Sequence, residues 1–466
     1  MVHELIALPA RAVRTLLKKQ EVSPLELLDV LEQRIEDVDE AVNALPTLCF
    51  DRARSRARSQ DFSTLPLAGI PVAIKDLTEV AGVRTTMGSM AYQDHVPESS
   101  DLLVERIEAA GGIVYGKTNT PEFGAGANTF NDVFGYTRNP WDTALSAAGS
   151  SGGSAVALAT GMAWLATGSD LGGSLRNPAS FCGIAGLRPS QGRVPSDPGE
   201  LAFNRLSTDG PMARNVSDLA MLLDVMAGYD SRDPMSLDDP VISFEASALR
   251  KEVPRRIAFS ADLGVTPVDS EVAQICEEAA MRFAELGTII EHDHPDFSGL
   301  QEVFQVHRAL SFATHLGPEL EANRCVFKPE IVWNVEKGLA LSTKEIMDAM
   351  VGRSVIYQRT QRFFSQYDLI LTPATVVPPY PIEQRFVERI GDHVFSNYIE
   401  WCSIAYAFTV IGAPALSIPC GFTQSGLPVG LQIVAPPRQE GRLLSAALAY
   451  EALAQMTHQI PIDPKG

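Results

Sequence analysis

The stretch Gly149-Ser150-Ser151-Gly152-Gly153-Ser154-Ala155-Val156-Ala157-Leu158-Ala159-Thr160-Gly161-Met162, continued by Ala163-Trp164-Leu165-Ala166-Thr167-Gly168-Ser169-Asp170-Leu171-Gly172-Gly173-Ser174-Leu175-Arg176-Asn177-Pro178, decides how this chain folds. Beyond its first glycines, Ser150 to Met162 is rich in small residues and compatible with a helix. Ala163 to Gly168 is a short apolar strand candidate. Gly172 and Gly173 then force a tight turn before Ser174, and glycines at such a turn let backbone N–H groups converge on one point.

The segments on either side continue the alternation. Upstream, Ala68 to Lys75 is Gly/Pro-initiated and β-branched, which predicts a buried strand ending in a charge. It is followed by a helix over Asp101 to Ala110, a strand over Gly112 to Gly116, and a polar Gly/Asn-rich loop from Thr118 to Ala148. Nearer the N-terminus, Leu25 to Val38 reads as an amphipathic helix, with Ser23 as N-cap, Pro24 in the first turn and Glu26 three residues after the cap. Downstream, Tyr229 to Pro240 is linker-like, and then strand (Arg256 to Ser260), helix (Ser270 to Leu286) and strand (Thr288 to Glu291) resume. That resumption predicts an insertion into the same layers. Tyr367 to Pro373 and Ala415 to Pro419 read as buried strands, each ending in proline. Strand alternating with helix predicts an α/β sandwich.

Composition limits the functions available. The 466 residues are 45 % hydrophobic and 20 % charged, with 35 Gly and 31 Pro, the balance of a folded globular chain. Lys and Arg number 38 against 57 Asp and Glu, so the formal charge of 38 − 57 = −19 repels nucleic acid and anionic membranes. No apolar run approaches the roughly 20 residues of a membrane span, and Met1 to Gln20 lacks the pattern of an export signal. Cys49, Cys182, Cys276, Cys325, Cys402 and Cys420 are scattered without a CxxC pair, which disfavours zinc and a disulfide framework. Reduced thiols and a cytoplasmic location are the expectation.

Several catalytic patterns can be set aside. No Ser-x-x-Lys occurs. Gly149 to Gly153 formally satisfies G-x-S-x-G, but Trp141 to Ala148 lacks the β-branched strand that a nucleophile elbow follows. His292, Asp293 and His294 have no third ligand at metal spacing, and His95 beside Asp94 reads as surface. What remains is Lys75 in Gly-Ile-Pro-Val-Ala-Ile-Lys-Asp, Ser150 in Gly-Ser-Ser-Gly-Gly-Ser, and Ser174 after Gly-Gly. Taken singly, Lys75 reads equally as a surface-pairing lysine, Ser150 as a turn serine and Ser174 as a helix N-cap.

Together they resemble the amidase signature family, whose Gly/Ser-rich block followed by D-x-G-x-S-[LIVM]-R-x-P is matched from Gly149 through Pro178. The flanks 116–122, 181–190, 209–214 and 412–422 extend the resemblance over nearly the whole chain, least clearly over Tyr229 to Asp368. It implies a single α/β/α domain with a central mixed β-sheet flanked by helices, over residues 61–466, and an N-terminal helical segment over residues 1–60. It further implies an amide hydrolase without metal or organic cofactor, a small-molecule amide as substrate and a homodimer.

Carried over by position, the resemblance makes Ser174 the nucleophile, Ser150 a bridging serine after a cis peptide, and Lys75 the base. The chemistry is coherent, because a serine hydroxyl needs an adjacent base and a lysine desolvated at a strand end is pushed toward the neutral amine. The N–H groups of Leu171, Gly172, Gly173 and Ser174 would form the oxyanion hole. Asp170 and Arg176 would support the site from behind, Ser169 would hydrogen-bond within the serine pair, and Gly124 would line the acyl pocket. One departure is Ala148, where the family has glycine; alanine disfavours positive φ, so either φ is negative there or the loop is reshaped.

Two other functions stay open. Within the family, the glutamine-hydrolysing component of an aminoacyl-tRNA amidotransferase, its A subunit, is the alternative. The Arg-Tyr-Gly stretch of that protein is missing after Gly192-Arg193-Val194, which runs into Pro195-Ser196-Asp197-Pro198, and Trp401-Cys402 stands where it carries an aspartate. The other is a non-catalytic scaffold of the same fold, against which the joint presence of Lys75, Ser150 and Ser174 argues.

Overall fold

The computed structural model describes residues 4–197, 199, 201–203, 205–456 and 459–466. Pro198 of the stretch weighed above, and the first three residues, lie outside them.

Eleven strands form one sheet. In chain order they are β1 (Thr47–Leu48), β2 (Pro71–Lys75), β3 (Ile113–Thr118), β4 (Leu165–Asp170), β5 (Ala185–Arg188), β6 (Thr208–Ala213), β7 (Arg256–Phe259), β8 (Ile289–His292), β9 (Leu369–Pro373), β10 (Ala415–Phe422) and β11 (Pro428–Val434). Their order across the sheet is β1-β3-β2-β4-β6-β5-β10-β11-β9-β7-β8. β2 runs parallel to β3 and β4, and β7 parallel to β8 and β9, while the remaining pairs are antiparallel. The sheet is therefore mixed and flanked by helices, as the sequence predicts. The strands after Tyr229–Pro240 join this same sheet.

All five residues of β2 are buried, which is why the segment reads as a continuous apolar run rather than an alternating one. Its parallel register with β4 pairs Val72 with Leu165 and Ala73 with Ala166. Lys75 at the end of β2 and Ser169–Asp170 at the end of β4 consequently emerge at the same edge of the sheet. The helix α1 (Pro24–Val42) starts at Ser23, whose side chain accepts from the Glu26 N–H while Glu26 reaches back to Ser23. That reciprocal cap opens a helix that runs one turn beyond the expected Val38. Its buried face, Leu27, Leu28, Leu31 and Ile35, joins the same apolar cluster as the sheet.

Two local expectations are corrected. Asp142–Ser146, expected within the loop from Thr118 to Ala148, is a short strand paired with Arg138–Asn139 outside the central sheet; it does not lead into a nucleophile elbow. The strand expected to stop at Pro419 continues to Phe422, because a register shift between Pro419 and Gly421 absorbs the irregularity. β6 contains Gly210 and Pro211, which argue against an interior strand. It survives because β4 pairs along its whole length, whereas β5 pairs only with Met212 and Ala213.

Candidate active site

The site is assembled from the end of β2, the start of the helix α2 (Gly152–Ala159) and the turn between β4 and the helix α3 (Arg176–Cys182). α2 is buried throughout, and its N-terminus packs onto backbone so closely that a Cβ on Gly153 would meet Asn119 N at 2.3 Å. That contact explains the glycines after the serine pair and fixes where Ser150 and Ser151 sit. The Gly149–Ser150 peptide is cis. Ala148 has φ +56, so the left-handed conformation is kept with an alanine in place; its N–H donates to Ser146 Oγ at 3.0 Å and its carbonyl accepts from Thr129 Oγ1 at 2.8 Å.

Lys75 is fully buried. Its Nζ lies 2.7 Å from Ser150 Oγ, 2.9 Å from Ser151 Oγ and 3.0 Å from Ser169 Oγ. Burial pushes the amine from 10.5 down to about 7, against the opposing pull of Asp209 and Asp170. Immediately behind it, Asp76 pairs with the buried Lys117 at 3.0 Å and accepts from Thr86 Oγ1 at 2.6 Å, which anchors the strand end. Ser151 is not singled out by the sequence, although it stands next to Ser150 in the same block. Asp209 is legible there only as part of a flanking motif. It lies opposite Ser169 in the β6–β4 register and is pushed up to about 6, chiefly by burial.

Asp170 and Arg176 are both buried and form a two-pronged pair, Nη2 to Oδ1 at 2.8 Å and Nε to Oδ2 at 3.0 Å. Arg176 also donates to Ala405 O and Gln432 Oε1, each at 2.6 Å. Arg188 joins through Asp170 Oδ1 at 3.4 Å. Burial acts to raise the Asp170 carboxyl, but Arg176 and then Arg188 hold it well below the usual carboxylate range. The same carboxylate accepts the N–H of Gly173 at 2.9 Å and of Leu175 at 3.1 Å. Gly173 N–H, expected in the oxyanion hole, is thus engaged by Asp170. Among the described residues the N–H groups of Leu171, Gly172 and Ser174 donate to no protein acceptor.

Ser174 faces a cavity of about 220 Å³ that Ser150, Ser169, Leu171, Gly172 and Gly124 also line. Gly124 has φ +68, and a Cβ there would lie 2.9 Å from Leu77 Cδ1 and 3.3 Å from Ser150 Oγ, so it stands where the expected pocket wall should be. Among the described residues Ser174 Oγ makes no hydrogen bond, to Ser150 or to any other protein atom, although both hydroxyls line the same cavity. The far wall is one face of the helix α4 (Leu300–Asn323), including Arg308, Phe312 and Leu316. No sequence signal points to it.

A buried lysine on a serine cluster, beside a cavity rimmed by backbone N–H groups, is the equipment of a serine-type acyl transfer enzyme. The chain belongs to the amidase signature family: the Amidase family model matches residues 26–444. It is an amide hydrolase. The A subunit of glutamyl-tRNA(Gln) amidotransferase from Moorella thermoacetica is 36 % identical, over 98 % of this chain and 99 % of that protein. The acylamidase of Rhodococcus erythropolis is 32 % identical, over 95 % of this chain and 94 % of its own length. Among solved structures, a bacterial aryl acylamidase of the amidase signature family superposes with a TM-score of 0.91 at 26 % identity, covering 97 % of this chain and 98 % of that one. No helix among the described residues is long and apolar enough to cross a membrane.

Proposed function

We propose that this protein hydrolyses a small carboxylic amide to carboxylate and amine through an acyl-enzyme on Ser174. The observation that carries the reading is the 2.7 Å contact between the buried Lys75 Nζ and Ser150 Oγ. A neutral amine has two N–H bonds and one lone pair. With the N–H bonds donated to Ser151 and Ser169 Oγ, the lone pair is directed to the Ser150 hydroxyl proton. Lys75 takes that proton, Ser150 takes the proton of Ser174, and Ser174 Oγ attacks the carbonyl carbon. The N–H groups of Leu171, Gly172 and Ser174 receive the oxyanion. As the tetrahedral intermediate collapses, Ser150 returns a proton to the departing nitrogen and the C–N bond breaks. Water then attacks the ester by the reverse relay, releasing carboxylate and regenerating Ser174.

The positioning carboxylate in this scheme is Asp170, which ties the oxyanion turn to two arginines. The test is labelling with a fluorophosphonate followed by a panel of amides. Wild type should be labelled on Ser174 and cleave at least one amide, and Ser174→Ala should do neither. An unlabelled wild type with no turnover would return the protein to the scaffold reading.

The extent of similarity to the amidotransferase A subunit supports a second reading, in which the substrate amide is glutamine and the ammonia passes to a partner. Glutaminase activity that appears only with the other amidotransferase components present would favour it. Efficient turnover of aryl or alkyl amides by the isolated chain would favour the first.

A further inference from the structure

Arg308 stands out among the cavity residues. On α4, Arg308, Ser311, Phe312, His315 and Leu316 recur at helical spacing and line one wall. Arg308 is only 3 % exposed, yet among the described residues it has no carboxylate within ion-pair distance. Other buried arginines do: Arg176 and Arg188 share Asp170, Arg193 faces Glu440 at 3.4 Å, and Arg34 reaches Asp463 at 2.6 Å. Arg214, the other without a paired carboxylate, has its fork on the carbonyls of Ile6 and Leu8 and lies away from the cavity.

The partners of Arg308 are neutral. Nη1 donates to Asn334 Oδ1 and Nη2 to Tyr398 OH, and the guanidinium lies 4.6 Å from the Phe312 ring centre and 5.1 Å from that of Tyr398. Asn334 is in turn held by donating to Glu330 O at 2.6 Å. A guanidinium carries five N–H bonds; these two contacts leave 5 − 2 = 3 without an acceptor among the described residues. A desolvated cation held in one orientation at a cavity wall, with donors to spare, matches a planar anion that arrives with the ligand.

Its place relative to the reacting centre follows from the helix. Phe304 precedes Arg308 by one turn of α4 and faces the oxyanion turn, since a Cβ on Gly172 would lie 3.5 Å from Phe304 Cζ and 3.7 Å from Ile399 Cδ1. Arg308 therefore sits about 6 Å further along the helix, with Phe312, Leu316 and Phe123 supplying apolar walls around the cavity. We infer that the substrate is an amide bearing a carboxylate, separated from the scissile carbonyl by a short apolar chain, and that Arg308 receives that carboxylate. This rests on the amide-hydrolase reading. The carboxylate belongs either to the acyl half or to the amine half, and the test separates them.

The experiment compares glutaric acid mono-p-nitroanilide with pentanoic acid p-nitroanilide, and N-acetyl-4-aminobutyrate with N-butylacetamide. Wild type should prefer the carboxylate member at least tenfold in kcat/KM in one of the two arms, with the difference lying in KM. Arg308→Gln should reduce that ratio below threefold, and Arg308→Lys, which keeps the charge, should retain part of it. Independently of turnover, Ser174→Ala should bind glutarate in calorimetry, and adding Arg308→Gln should weaken binding at least tenfold. No preference in either arm, a preference that survives Arg308→Gln, or glutarate binding that ignores the substitution would overturn the inference. If no amide is cleaved and Ser174 resists fluorophosphonate, the hydrolase reading fails, while the glutarate titration still decides the role of Arg308.

Discussion

Lys75 Nζ and Ser150 Oγ lie 2.7 Å apart in a pocket from which Lys75 is sealed off from solvent. The distance alone would fit an ammonium donating to a hydroxyl. Burial decides the matter the other way near neutrality, since desolvation penalises the charged amine and brings it to about 7. The carboxylates that favour the charged amine, Asp209 and Asp170, oppose this without cancelling it, Asp170 because its charge is already shared with Arg176 and Arg188.

The first prediction concerns pH. Because the amine falls from 10.5 in the unfolded chain to about 7 in the fold, the unfolded state binds more protons between those values, and stability rises with pH across that window. The penalty for burying Lys75 is full below pH 7 and relieved above it. Wild type should therefore gain stability relative to Lys75→Met by up to about 1.4 kcal/mol per pH unit between roughly pH 7 and 10, measured by denaturant titration. In parallel, wild-type kcat/KM should rise with pH through an inflection near 7. A stability difference that stays constant with pH would mean that Lys75 keeps its proton in the fold.

Asp170→Asn should be severe. It leaves Arg176 and Arg188, both buried, facing a neutral amide, and breaking a buried ion pair from one side costs about 3–5 kcal/mol. The Gly173 and Leu175 N–H groups lose an anionic acceptor as well. Thermal unfolding should shift several degrees down, and fluorophosphonate labelling of Ser174 should slow. An unchanged melting temperature would show that the turn is held by something other than this carboxylate.

How much of this is legible in the sequence depends on whether the information is local. β2 and the block from Gly149 to Pro178 are readable because strand, turn and glycine chemistry there are dictated by neighbours in sequence. The approach of Gly153 to Asn119 and the register of Val72 on Leu165 are tertiary, set by residues distant in sequence that meet only in the folded chain. Ala148 illustrates the limit: propensity argues against φ +56, but its N–H and carbonyl are both bonded to the surrounding loop, so context overrides the residue. Asp170 taking Gly173 N–H is likewise invisible, since a motif states which residues are present and not which hydrogen bonds are already used. The α4 wall, with Arg308, falls in the region where the family resemblance is weakest.

Gly124→Ala tests the pocket. A Cβ there meets Leu77 Cδ1 at 2.9 Å and Ser150 Oγ at 3.3 Å, on a backbone at φ +68. The Leu77 methyl can give way, but the left-handed backbone adds about 1 kcal/mol for an L residue, and the new methyl enters space beside the relay hydroxyl. kcat/KM should fall about tenfold or more for a hexanoyl anilide and distinctly less for acetanilide. Equal losses for the two would place Gly124 outside the acyl-binding wall.

The last prediction separates proton delivery from nucleophile activation at Lys75. An amine leaves poorly unless protonated, whereas a phenoxide departs with less help, so amide and activated ester with the same acyl group place different demands on the relay. If Lys75 supplies the leaving-group proton through Ser150, general acid catalysis worth about 10²- to 10⁴-fold is lost for the amide in Lys75→Ala and largely spared for the ester. Ser174→Ala should abolish both reactions, because the nucleophile is common to them. The ester rate of Lys75→Ala should also lose the inflection near pH 7 that the wild-type amine imposes. Equal losses on amide and ester, with the inflection intact, would reduce Lys75 to a structural residue and require another base for Ser174.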